Sequence, residues 1–241
     1  MPASYVDSTI ANNNTATSIE ITKPATVLDG DVFFAFLGNN DDNAWTTLTG
    51  WTALGELQDA GGNDRTLNIQ RKVITDAAGE PATYTFSRAG LNTDNFGVIV
   101  AVRGIDNTTP EDATSVLSSG ANDNTPDSPS ITTVTDGAFI LLACGLAGTG
   151  AALTFVAPTG ADLREGNDLE TSFRMGVSTF IQASAGATGA QNWPNTGGSS
   201  PVSWEWVTGT VAARPVVAGG AAAAAIRSKG LRTLSLTGAG I

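Results

Sequence analysis

Three groups of carboxylates lie close enough in sequence to work in pairs: Glu56 with Asp59, Glu165 with Asp168 and Glu170, and Glu205 between Trp204 and Trp206. Glycoside hydrolysis is the chemistry that needs two such groups and no imidazole, one carboxyl acting as acid and the other as base or nucleophile. The chain has no histidine at all. Ser-His-Asp and Cys-His catalysis, imidazole metal ligation and a pH switch near neutrality are therefore excluded. The sharpest of the three groups argues against its own chemistry. Successive side chains of a strand point to opposite faces, so Trp204 and Trp206 share one side and Glu205 takes the other. Two tryptophans on one sheet face are a packing device, and the expectation is a protein without catalytic residues.

Other candidate chemistries fare no better. Cys144 is the only cysteine, which rules out an internal disulfide and a multi-cysteine zinc site. It lies in the apolar run FILLACGLAG, so a buried, inert thiol is expected. Oxygen ligands suited to calcium gather in Asn39-Asn40-Asp41-Asp42-Asn43 and in Asn122-Asp123-Asn124 with Asp127. Neither stretch has the alternating acidic order with a distal Glu of a calcium loop. They read as solvated Asx turns, and no metal or cofactor is expected. Trp45, Trp51 and Trp193 sit in or beside turns, where an exposed ring could stack on a sugar. Trp51, after Gly50 and before Thr-Ala-Leu, reads better as a ring folded back to plug the end of a sandwich. Trp45 and Trp51 remain the candidates for a secondary glycan or partner contact. The glycine-rich GGAAAAA and GAGI lead into no phosphate-binding Lys-Ser/Thr.

The elements that must position these residues are strands. Of 241 residues, 41% are apolar, 15% charged and 28 are glycine, against roughly 25% charged in an average soluble protein. SIEIT, VFFAFLG, TLNIQRKVIT, ATYTFS and FGVIVAVRG have strand character, separated by the turn-formers GNNDDN, DAGGND, DAAGEP and AGLNTDN. No stretch of about 12 residues carries a helical stripe. An approximate duplication runs through the chain. ITKPATVLDGDVFFAFLG from Ile21 is answered by ITTVTDGAFILLACGLAG from Ile131, and TGWTAL from Thr49 by TGADL from Thr159. Two similar halves, about 18–113 and 131–216, predict an all-β, two-sheet antiparallel sandwich, jelly-roll-like, with each half supplying strands to both sheets. One domain over 1–216 is expected, with 106–130 as a surface crossing.

The C-terminal segment 217–241 differs. All 23 acids and eight of the 12 bases lie in residues 1–213, a net −15; Arg214, Arg227, Lys229 and Arg232 follow with no acid. AGGAAAAA is too small-sided to build a core, whereas LRTLSLTGAGI has strand character with Leu234 and Leu236 on one face. An extended arm is expected, with Arg227, Lys229, Arg232, Leu234 and Leu236 as attachment residues. The overall charge of −11 argues against phosphate-backbone binding. Neither a signal peptide nor an apolar run of about 18 residues is visible, so cytoplasmic synthesis without membrane insertion is expected.

The ordered set DGDVFFAF, TGWTALGEL, RKVITDAAGEPATYTFS and GVIVAVRGIDNTTPEDA resembles β-sandwich virion proteins of tailed bacteriophages. Residues 18–113 carry the resemblance well and 131–216 carry it as a second copy, with Ala161 where Trp51 would stand and without the Glu-Pro pair. The resemblance implies a non-enzymatic structural component of the virion, made in the bacterial host cytoplasm. Its expected role is head decoration (cement), with the major capsid protein and further copies of itself as partners, and with neither nucleic acid nor membrane. A tail- or fibre-associated component, or an adhesin module binding host glycans, are the alternatives.

Overall fold

The computed structural model describes residues 2–59, 64–90, 93–123, 125–147, 153–167, 173–197 and 204–217. Among them every regular element is a strand and every strand pairing is antiparallel. The protein is all-β, and its two five-stranded sheets pack face to face.

The first half contains β1 (Ser4–Ala16), β2 (Ser18–Thr22), β3 (Val32–Asn39), β4 (Thr52–Asp59), β5 (Arg65–Val73), β6 (Thr83–Ser87) and β7 (Thr93–Arg103). Its pairing is nested. The strand β1 pairs with β7, β2 with β6, and β3 with β5, with β4 at the tip. That is a long hairpin rolled up in the jelly-roll manner. The main sheet has the order β1-β7-β3-β5-β4, and the β2–β6 ribbon covers its outer face.

The second half contains β8 (Glu111–Ala121), β9 (Asp127–Ser128), β10 (Thr132–Thr133), β11 (Ala138–Ala147), β12 (Leu153–Thr154), β13 (Asp162–Asn167), β14 (Phe173–Gln182), β15 (Gly186–Ala187), β16 (Gln191–Asn192), β17 (Thr196–Gly197) and β18 (Glu205–Ala213). Its main sheet, β8-β18-β11-β14-β13, repeats the first order strand for strand, and the short β9–β16 and β10–β15 ribbons stand in for β2–β6.

The register repeats as well as the order. Val32 faces Val73 and Val102; Phe139, in the corresponding place, faces Ile181 and Ala213. A bulge between Ala53 and Gly55 in β4 recurs between Leu163 and Glu165 in β13. The turns before these strands are the same. The Trp51 N–H donates to Leu48 O and the Ala161 N–H to Pro158 O, each at 2.9 Å. Gly50 (φ 83°) and Gly160 (φ 84°) take the left-handed third position of a type II turn. Asp29 and Asp136 play one role, each accepting a backbone N–H at 2.7 Å, from Ala77 and Ala185.

Two expectations need correction. Each half builds one main sheet whole rather than supplying strands to both. The reason lies in the runs VFFAFL and AFILLAC, which are buried on both faces. In β3, Val32, Phe34 and Phe36 face the other half, while Phe33, Ala35 and Leu37 face the local ribbon. The strand β11 divides likewise, with Phe139, Leu141 and Ala143 inward and Ile140, Leu142 and Cys144 outward. The local ribbon closes one side and the opposite half closes the other. Second, the repeat starts earlier than residues 18 and 131. The strands β1 and β8 occupy corresponding sheet edges, so 106–130 is mostly not a crossing. Both are half-exposed edge strands of mixed Ser, Thr and Val, with little apolar periodicity to announce them.

Between the main sheets lies the largest apolar cluster, drawn from both halves. The strand β4 lies on β8 and β13 on β1, while β5 meets β18 and β14 meets β7. These contacts come in exchanged pairs, as in an isologous dimer. The ring of Phe173 fills the centre, where Gly38 and Gly145 make room for it. A Cβ on either glycine would come within 2.5–2.6 Å of the ring.

Candidate functional site

The described carboxylates among those singled out above, Glu56, Asp59, Glu165 and Glu205, are occupied in holding the fold together. Glu205 points away from Trp204 and Trp206, as strand alternation requires, and pairs with Arg65 across the interface between the halves. Arg65 is 2% exposed. It also binds Asp59 at 2.7 Å and donates to Trp206 O and Gly120 O at 3.1 Å each. Trp204 is buried in the outer cluster of the second half, with Trp206 packed against that cluster. Glu56 accepts the Trp45 backbone N–H and the Asn68 amide, each at 2.9 Å. Glu165 accepts the Ser8 hydroxyl at 2.6 Å, a further bond between the halves. Asp168 and Glu170 lie outside the described residues. Sequence reasoning missed Arg65, the hub of this network. A lone arginine at the start of a strand pattern was its only signal.

The Asn/Asp-rich loops are built as Asx turns. Asn39 Oδ1 accepts the Asp41 N–H at 3.1 Å, and Asp41 Oδ1 accepts the Asp42 N–H at 2.8 Å. Arg88, buried, reaches Asp41 at 3.3 Å and Asn95 at 2.6 Å. Asp41, Asp42 and Asp64 bring one carboxylate oxygen each within 4.8 Å of one another. In the other loop Asp123 Oδ1 accepts the Thr125 N–H at 2.7 Å, and Asp127 accepts the Asn192 amide at 3.0 Å. Asn122 adopts φ 61°, which Asn tolerates better than most residues. Asn124 lies outside the described residues.

The tryptophans are interior residues. Trp45 and Trp51 are 4% and 7% exposed, so neither offers a face to a sugar or a partner in this structure. Trp51 packs edge-on against Tyr84 and Phe86, with centroids at 5.2 and 5.1 Å, and closes the outer layer of the first half. Its ring is desolvated because the Gly50 turn folds it back over the ribbon. In the second half, with Ala161 at that position, Trp193 and Phe155 fill the outer layer in edge-to-face contact.

The residues of the Glu-Pro-x-x-Tyr segment also serve packing. Glu80 accepts the Tyr84 hydroxyl at 2.6 Å and pairs with Lys72. Burial, reinforced by Glu80, pushes the Tyr84 hydroxyl well above its ordinary pKa. Burial likewise pushes the Cys144 thiol up, which suppresses the reactive thiolate. The Arg103 guanidinium grips Asp31 with two bonds, 2.7 and 2.8 Å, and so fixes the start of β3 against the end of β7.

One apolar surface feature stands out among the described residues. Val134, Ile181, Val216 and Val217 are 65, 47, 44 and 67% exposed and line an open groove of about 650 Å³ beside Pro2 and Pro215. It sits where the described chain ends. Arg227, Lys229, Arg232, Leu234 and Leu236 lie outside the described residues. Compared with protein-family models, curated proteins and solved structures, the chain matches none.

Proposed function

We propose that the chain is a non-enzymatic structural component of a tailed-phage particle, most concretely a head decoration protein that binds the capsid surface and stabilises it by mass action. The observation that carries this reading is the division of charge. Residues 1–213 hold every acid, and the segment from Arg214 onward holds four cations and no acid. A basic segment on an acidic body can grip a neighbour bearing the same acidic field. Two further observations support it. The ordered motifs that resemble phage virion proteins are scaffold parts here: a strand-entry turn, an aromatic plug and an Arg–Asp clamp. The described carboxylates of the three candidate groups are all engaged in structural bonds. A tail-associated role is the alternative reading.

Copy number separates these. In purified particles, densitometry should find on the order of hundreds of copies, as a lattice of repeated closed symmetry demands. About a dozen or fewer would move the protein to the tail. Particles lacking it altogether would overturn the proposal.

A further inference from the structure

The groove beside the end of the described chain has a partial counterpart in the first half, where Val27, Leu28 and Asp29 line an open pocket with Ala77 and Ala78, but the two differ at one position. By strand correspondence Ile105 and Asp106 stand where Val216 and Val217 stand. Ile105 is 2% exposed, with Pro215 bridged to it in antiparallel fashion. Val216 joins the same bridge, its N–H donating to Gly104 O at 2.8 Å, yet the side chains of Val216 and Val217 stay exposed, as do those of Val134 and Ile181 beside them. The four aliphatic side chains together form an apolar surface that nothing among the described residues covers.

We propose that this groove receives the C-terminal segment 231–241 of a second copy of the chain, so that copies are tied together by exchanged arms. The inference rests on the assembly reading above and names one of its partners. Composition is the first argument. Residues 218–241 carry Leu231, Leu234 and Leu236 to fill an apolar groove, and Arg227, Lys229 and Arg232 to meet a body of net −15 that includes Asp136 on the groove itself. Length is the second. A return to the chain's own groove would need only a short turn of roughly 2–5 residues. Instead the small-sided and basic stretch 218–230 intervenes. At about 3.3–3.6 Å per residue it spans roughly 45 Å when extended. That is about the diameter expected of a body of this size, with its radius of gyration near 17 Å.

Light scattering on the full chain tests this together with two variants, a truncation after Val217 and V134E/V217E, whose substitutions fall at exposed positions. The full chain should show at least twice the single-chain mass at micromolar concentration, and each variant the single-chain mass. Mixing the two variants should restore a complex, because one retains the groove and the other the arm. A labelled peptide of residues 228–241 should bind the truncated body, at least tenfold more weakly when V134E/V217E is added. A monomeric full chain would mean that the arm seats on its own body or nowhere, and would overturn the proposal. Self-association that survives either variant would also overturn it. The copy-number measurement is independent: a monomeric chain found on particles sinks arm exchange alone.

Discussion

Cutting the chain between Thr109 and Pro110 is expected to yield a first half that cannot persist as a soluble monomer. The cut would uncover Val32, Phe34, Phe36, Leu67, Ile69, Phe96, Val98, Val100 and Val102, all on the face that the second half covers. At roughly 1.5–3 kcal/mol for each fully buried side chain, re-exposing these nine costs on the order of 14–27 kcal/mol. Extended-chain reasoning makes the top of that range an upper figure, yet even the bottom matches the whole stability of an ordinary domain. The outer cluster around Phe33, Trp51 and Phe86 would remain, so strand structure should survive while the particle self-associates through its bare face. Produced together, 1–109 and 110–241 should copurify in equal amounts. Analytical ultracentrifugation decides the matter; a well-behaved monomer of 1–109 with cooperative unfolding would refute the shared interior.

The substitution with the largest expected effect is Arg65→Met. It removes the cation paired with Glu205, which is 12% exposed, and the side-chain donor to Trp206 O and Gly120 O. Removing one partner of a buried pair typically costs about 3–5 kcal/mol. The double variant R65M/E205L should recover at least half of that loss, because the stranded charge goes with it. Urea titration of the three proteins measures both quantities. A single variant within about 1 kcal/mol of the parent, the range of exposed ion pairs, would show that the network is peripheral.

How much of this was legible in the sequence follows from which forces act locally. The runs VFFAFLG and FILLACG announce strands buried on two faces, and the Gly50 and Gly160 turns announce the duplication, because φ near +80° leaves glycine almost alone as a choice. The alternation in WEW placed Glu205 correctly on the face away from the tryptophans. What escaped were features decided at long range. The strand β1 reads SYVDSTIANNNTA and β8 reads EDATSVLSSGA; their strand state comes from the edges they extend, not from their own pattern. Arg65 meets Glu205 across 140 positions of chain, and no local signal pairs them. The groove at Val134 and Val216 was equally hidden, since nothing in a short run of valines tells a covered strand end from an open one.

Two similar halves close one interior between them. Hydrogen exchange followed by mass spectrometry over a urea series tests it most directly, by comparing the backbone of β3 with that of β11. These strands line opposite walls of the shared cluster. They should lose protection at the same urea concentration, as one cooperative unit. If either strand opens while the other stays protected, the halves are separate folds, and the reading built on their union is wrong.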